Sequence, residues 1–579
     1  MVWTTLAEGL AAALKAIGLH TPERMARLEL AIPRDPAHGD WTTNLALGLA
    51  REAKRPPRAV AEALADAFPR DPALFSAVEV AGPGFLNFRY SGAFLAALPA
   101  RIAGEGAGFG RSALTASERV LVEYVSANPT GPLNVVNARA AAVGATLVRL
   151  LETTGHHAEG EFYVNDAGRQ VELLGESMAA RFAERVGIPR AMPEDGYQGA
   201  YLLDLAAALP EAEARAALAR SDIAWFRDQA LERVMAWQRE DLKDYGVEFA
   251  RWYRESTLHA AHAVEETLAA LEARGVVYRA VVPETGADDA DREGDAGPAA
   301  AAARGEATWL RTSKFGDEKD RVLVRDNGVP TYLLPDIAYH RDKQARGFQR
   351  AIDIWGPDHH GHIGRMQAAL QALGHPGFLE VLIAQQVNLL SAGQPVKMSK
   401  RAGEFITLRG LMNEVGADCA KFFFLMRSTS AHLDFDLDLA RQQNDENPAY
   451  YVQYAHARIA SLLRFAGEKG LTPASGTVPD EELAVPEVAA LVRKLATWPE
   501  VVRGAAAARE PHRIPTYLME TAAEFHRYYH ACRVVTEDRE RSRVRLLVAG
   551  AARQVIANGL ALLGVGAPER MERAAEVAP

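Results

Sequence analysis

Only two cysteines, Cys419 and Cys532, occur in this 579-residue chain, and neither belongs to a Cys-x-x-Cys or Cys/His spacing. That scarcity argues for a reducing compartment and against a structural zinc site. Positive charge is also short. Lys and Arg number 65 against 75 Asp and Glu, a net of −10, so no global basic field announces nucleic acid. A local arginine cluster on an acidic protein can still bind phosphates. No apolar run is long enough to span a bilayer. The opening stretch, MVWTTLAEGLAAALKAIGLH, is amphipathic and carries Glu8 and Lys15, unlike a secretory signal. A cytoplasmic location is therefore expected. What the chain does have is 48% hydrophobic and 24% charged residues, the balance of a globular protein, with length for roughly three or four domains.

The rest of the chain is organised around Val120 to Arg139, VLVEYVSANPTGPLNVVNAR. A β-branched run interrupted by one carboxylate, Glu123, predicts a buried strand, broken at Pro129-Thr130-Gly131-Pro132. Alanine-rich helical sequence follows from about Ala138 to Thr153, then a second strand over Glu161 to Val164. Strand, turn, helix and strand form a crossover unit whose ligands sit beyond the carboxyl ends of the strands. The fold class expected is multidomain: a small α/β N-terminal domain over 1–105, a Rossmann-type parallel-sheet catalytic domain over 118–413, and a C-terminal helical bundle over 414–579.

Within the first module, Leu28 to Ile32 alternates like a strand, Asp40 to Asn44 opens a helix, and Val78 to Phe88 reads as strand, turn and strand. The catalytic domain carries a helical insertion, about 168–250, and a flexible acidic insertion, about 285–306, without apolar periodicity. Strands are expected at Ala307 to Arg311, Arg321 to Arg325, Ala351 to Trp355 and Val381 to Val387, and a helix opens near Thr331 to His340. A histidine-rich turn, Gly356-Pro357-Asp358-His359-His360-Gly361-His362, raises a metal reading. A loop at a strand's carboxyl end more often meets a small ligand, and no structural metal is expected. From Glu414 onward nearly everything reads as helix.

Lys397-Met398-Ser399-Lys400 is a class signature, and longer stretches join it: Glu123 to Pro129, Tyr163 to Gln170, Phe315 to Arg321, Tyr332 to His340, Asp353 to His360 and Asn447 to Arg458. Together these resemble the arginyl-tRNA synthetases, a class I aminoacyl-tRNA synthetase family. The resemblance implies that ATP, as its Mg²⁺ complex, and L-arginine form arginyl-adenylate, which tRNA(Arg) then attacks. By resemblance Glu123 and Asp336 grip the guanidinium, Tyr332 shapes the pocket and Asn128 holds the amino-acid backbone. A guanidinium is a planar fork of five donors that suits paired carboxylates. The plainer alternatives are a salt-bridged strand carboxylate for Glu123 and a helix N-cap for Asp336. Lys397 and Lys400 would neutralise phosphate charge, with Met398 and Ser399 in the same nucleotide-binding loop. Trp355, Asp358 and His359 lie where the family binds adenosine. The family is often monomeric.

The chain departs from the family at the His-x-Gly-His motif, which here is Asn134-Val135-Val136-Asn137. Asn134 and Asn137 can still donate from their amides but cannot become cationic. Val136 puts a branched side chain where a glycine admits the adenine. The competing reading is a catalytically weakened or silent paralogue that binds arginine or tRNA.

For tRNA, the resemblance points to Phe85 and Asn87 in the N-terminal module. In the bundle, Tyr450 and Tyr451 are candidates to stack on unpaired bases, or else belong to the core. Arg541 and Arg545 share a helical face, as a basic stripe or a solvated one.

Overall fold

The computed structural model describes residues 2–33, 35–112, 117–281, 305–396 and 406–571. Most of the acidic insertion and all of Lys397-Met398-Ser399-Lys400 lie outside the described residues.

A five-stranded sheet forms the middle of the chain. Its elements are β1 (Arg119–Glu123), α1 (Val135–Thr153), β2 (His157–Val164), α2 (Arg169–Arg185), α3 (Ile223–Asp244), β3 (Arg251–Arg254), α4 (Leu333–Ala345), β4 (Arg350–Trp355), α5 (Ile363–Ala372) and β5 (Leu379–Ile383). The order is β5-β4-β1-β2-β3, and every neighbouring pair is parallel. Val120, Leu121, Val122, Ala351 and Ile352 are all buried, because helices cover both faces of such a sheet. The strand order reverses between β1 and β4. That is where an open α/β sheet leaves a crevice at its carboxyl edge. β3 was not expected: it is four residues long with an arginine at each end, too short and too charged for the alternation that marks a strand.

The N-terminal module pairs Phe85–Tyr90 with Trp41–Thr43 on one side and Phe75–Ala81 on the other. One expectation fails here and another holds in part. Leu28 to Ile32 is no strand; only Ala31 makes an isolated bridge, to Thr42. Asp40 to Asn44 does lead into a helix, Leu45–Ala53 with Asn44 at its N-cap, but it first contains the strand Trp41–Thr43, whose buried Trp41 donates to Tyr90 Oη (2.7 Å).

Beyond β5, the expected single strand is split into Leu379–Ile383 and Val387–Ser391. The second half pairs in parallel with Leu433–Asp436, so the sequence after Glu414 is not uninterrupted helix. The bundle then contains α6 (Pro448–Glu468), α7 (Arg513–Ala531) and α8 (Arg539–Leu563). α8 is long and apolar enough to cross a membrane, yet 67% of its apolar window is buried inside the protein, as in a core helix. The domains are bonded together. Arg149 Nε on α1 donates to Leu562 O (2.8 Å), Arg493 pairs with Asp40 (2.6 Å), and Asn558 Nδ2 donates to Gly106 O and Phe109 O.

Candidate active site

Three acids stand abreast at the carboxyl edge of the sheet. Glu123 at the end of β1 is in register with Asp353 of β4 on one side and Glu161 of β2 on the other. Residues in register point to one face, so like charges would repel across the strands. α4 and its C-cap supply the partners, His340, Lys343 and Arg346, spaced by three so that they share a helical face. His340 Nε2 lies 2.8 Å from Asp353 Oδ2. Lys343 Nζ donates to Glu123 Oε2 (2.7 Å) and to Asp353 Oδ1 (2.9 Å). Arg346 grips Glu161 with two donors (2.7 and 2.9 Å), and Tyr339 Oη adds a third bond to it (2.6 Å).

Burial alone would raise the Asp353 carboxyl, but Lys343 and His340 outweigh it and hold the group down at about 2. Burial likewise works against the charged Lys343, and Asp353 with Glu123 reverse that and push the ammonium up. Glu123 is raised, by burial first and by Asp353 next, against the pull of Lys343. Asp353 therefore carries the firm charge of the pair and Glu123 the softer one.

The chain leaves β1 through a strained corner. Val125 and Ser126 have φ of 71° and 38°, a left-handed region that a β-branched residue rarely enters and that costs about 1–3 kcal/mol per residue. The corner turns Ser126 Oγ back to donate to Glu123 Oε1 (2.9 Å) and to accept from Tyr163 N (3.1 Å). Both oxygens of Glu123 are thus engaged. The salt-bridged strand carboxylate anticipated as its plainer role is present, and Glu123 is only 8% exposed.

The less compensated acids stand next to this row. Asp336 lies in the first turn of α4, four residues past the N-cap Tyr332, so it is not itself the cap. Glu255 opens the short helix Glu255–Ala260. Its carboxyl is raised by burial and then by repulsion from Asp336. The Tyr163 hydroxyl is pushed far up by burial and then by Glu255, Asp336 and Glu123. All three carboxylates thus add to the upward push on one phenol. His259 Nε2 stands 3.6 Å from Glu255 and His362 Nε2 3.1 Å from Asp336. Asn165, with its amide turned to donate, reaches Glu255 Oε2 (2.8 Å). Tyr332 is 58% exposed. Asn128 donates to Gln170 Oε1 (2.7 Å), and Gln238 on α3 holds the turn by donating to Asn128 O and Gly131 O.

On the other side of the switch point, α1 begins three residues earlier than its alanine content implied. Asn134 is its N-cap, and Asn134 Oδ1 accepts from Val136 N (2.9 Å) and Asn137 N (3.1 Å). Asn137 Oδ1 accepts in return from Asn134 N (3.0 Å). The two asparagines thus build a reciprocal capping box. Their oxygens are used in the cap, and both amide nitrogens lack a partner among the described residues. Val136 sits in the first helical turn with its side chain packed against the main core. Thr407 bridges to Asn134, and Leu408 N donates to Leu133 O (2.8 Å). Trp355 ends β4 in ring contact with His359 and His362 at 6.3 and 5.6 Å, and Asp358 is exposed in the same 3₁₀ turn.

Residues expected to touch RNA divide into two groups. Phe85 is exposed, whereas Asn87 is buried and accepts from Thr42 Oγ1 (2.7 Å). Tyr450 is buried in the bundle, and Tyr451 lines a surface cleft of about 620 Å³ with His526, Arg527 and His530. Arg541 and Arg545 do share a face, and both clamp Glu482, which is only 3% exposed; Arg545 is itself largely covered, whereas Arg541 is about half exposed. The partner lies some 60 positions away, where no local pattern would reveal it.

Comparison with known proteins joins these observations. Residues 4–90 match the arginyl tRNA synthetase N terminal domain and residues 452–571 the DALR anticodon binding domain. The chain is 42% identical over 565 residues to an arginine–tRNA ligase of Geobacillus kaustophilus, covering 97% of each. The chain belongs to the arginyl-tRNA synthetase family. It is also 44% identical over 578 residues to an arginine–tRNA ligase of Symbiobacterium thermophilum, covering 98% of each. The Thermus thermophilus arginyl-tRNA synthetase structure shares the fold, with a TM-score of 0.75 at 24% identity over 99% of this chain and 100% of that one.

Proposed function

We propose that this chain is an arginine–tRNA ligase, joining L-arginine to its cognate tRNA through an arginyl-adenylate. The observation that carries the reading is the match to arginine–tRNA ligases over 97–98% of the chain, supported by Asp336, Glu255 and Glu123, each of which adds to the upward push on the Tyr163 hydroxyl. Two of those carboxyls, Glu255 and Glu123, are raised, by burial first and by a neighbouring acid next. A guanidinium offers a planar fork of five donors to such acids, a geometry that a point-like lysine ammonium does not reproduce.

In the proposed reaction an oxygen of the arginine carboxylate attacks the α-phosphorus of ATP. The bond to the bridging oxygen breaks and pyrophosphate leaves. The terminal ribose hydroxyl of tRNA then attacks the activated carbonyl, and AMP departs. This chemistry needs positioning and countercharge more than covalent help. Asp336 would meet the guanidinium, with Glu123 held behind it by Lys343, while Tyr332 closes the mouth and Asn128 holds the backbone of the amino acid. The amides of Asn134 and Asn137, at the positive end of α1, would donate to phosphate oxygens. Trp355, Asp358 and His359 would bound the adenosine. Lys397 and Lys400 would take the β and γ phosphates, with Met398 and Ser399 between them. Mg²⁺ would enter with the triphosphate, keeping phosphate and water oxygens as ligands. The same proposal includes a cytoplasmic monomer.

Arginine-dependent ATP–pyrophosphate exchange, with and without tRNA, tests the reading, followed by aminoacylation. Exchange and charging specific to arginine are expected. Absence of both would leave only a binding protein.

A further inference from the structure

His362 ends a histidine-rich turn whose role the reaction above leaves open. It is in contact with both sides of the site. Its Nε2 stands 3.1 Å from Asp336 Oδ2, the acid proposed to meet the guanidinium. Its ring stands 5.6 Å from that of Trp355, at the edge of the proposed adenosine site. A carboxylate only accepts, so Nε2 donates. Asp336 Oδ1 has no partner among the described residues, so one oxygen is held and the other is open. The held oxygen matters because Asp336 is 39% exposed on its side chain and would otherwise be free to rotate. Glu255 also repels it from across the pocket.

We propose that His362 is a positioning residue for arginine. It fixes the Asp336 carboxylate so that Oδ1 is presented to one edge of the guanidinium, and Trp355 in turn fixes the imidazole. This rests on Asp336 being a guanidinium partner. The role belongs to binding rather than to chemistry, since His362 touches neither the α-phosphorus nor the attacking oxygen in the proposed scheme. It therefore predicts a split between kinetic constants that a merely structural residue would not give.

Two substitutions separate the donor from the ring. His362→Phe keeps the contact with Trp355 and removes the donor, whereas His362→Gln keeps a donor and removes the ring. The side chain is partly exposed, so both variants are expected to fold, and thermal melting checks this. In arginine-dependent exchange with tRNA present, His362→Phe should raise KM for arginine about tenfold, the range for a hydrogen bond to a charged group. Its kcat and its KM for ATP should stay near wild type, and His362→Gln should recover most of the arginine KM. An unchanged arginine KM in His362→Phe overturns the proposal. So does a parallel rise of both KM values in both variants. If Asp336→Asn leaves the arginine KM unchanged while the wild type charges arginine, the guanidinium assignment fails and this inference fails with it. Wild-type exchange that ignores arginine would overturn the functional reading itself.

Discussion

Glu123 and Asp353 lie opposite one another on adjacent parallel strands and share a single ammonium, Lys343 Nζ, at 2.7 and 2.9 Å. That ammonium is completely buried. Glu123, proposed to stand behind Asp336, is thus already held by one cation before the substrate brings another. α4 carries both ends of this arrangement, with Asp336 in its first turn and Lys343 two turns later. Docking α4 by charge onto the sheet therefore also fixes where Asp336, the acid proposed to meet arginine, stands.

Lys343→Met is expected to destabilise the fold by about 3–5 kcal/mol, because it strands a buried carboxylate pair. Urea unfolding measures the loss. Changing Lys343 to Met together with Asp353→Asn removes one of the two uncompensated charges, so the double variant should lose less than the sum of the singles.

Arginine binding should weaken as pH falls. Glu255 and Glu123 are raised above the ordinary glutamate value, and the cation needs them ionised. Binding it therefore expels protons from whichever of them is protonated, and affinity improves as pH rises through their raised range. KM for arginine should be flat well above that range and climb as pH falls toward it. KM for ATP provides the internal reference.

The asparagine pair should be structural as well as catalytic. Asn134→Ala removes the cap of α1 and is expected to cost about 0.5–2 kcal/mol in thermal or urea unfolding. Converting Asn134, Val136 and Asn137 to His, Gly and His should also lower the melting temperature, since it breaks the reciprocal box and puts glycine in the first turn. Because the asparagine amides already offer donors, exchange should not gain by more than about tenfold, far less than the 10²–10³ lost with an oxyanion donor.

Arg545 should behave as a core ion pair. Arg545→Leu leaves Glu482 buried with Arg541 alone and should lower the stability of the bundle. Arg541→Leu, on the more exposed partner, should lower it less. Melting of the free protein checks both before any tRNA is added.

Much of the fold was legible in local pattern. β1 and β4 announce themselves by β-branched runs, and the turn before α1 by its prolines and glycine. What pattern misses is pairing across distance. Lys343 reads as a surface charge among Arg341, Asp342 and Arg346, yet it is buried because strands 220 and 10 positions away each set an acid beneath α4. The period-three spacing of His340, Lys343 and Arg346 was the available signal. Glu161 and Asp353 could have been sought as its partners. The strained Val125 gives no such signal, because valine is what a continuing strand would use. Trp41 reads as part of a helix start, and only pairing with a strand more than 40 positions away makes its segment a strand.

The most direct measurement is arginine titration of ATP–pyrophosphate exchange in the presence of tRNA, comparing wild type with Asp336→Asn. The account predicts saturable, arginine-specific exchange in the wild type. It also predicts a rise of about tenfold or more in the variant's KM for arginine, as for a lost charged hydrogen bond, with its KM for ATP retained. An arginine KM unchanged by Asp336→Asn would contradict it.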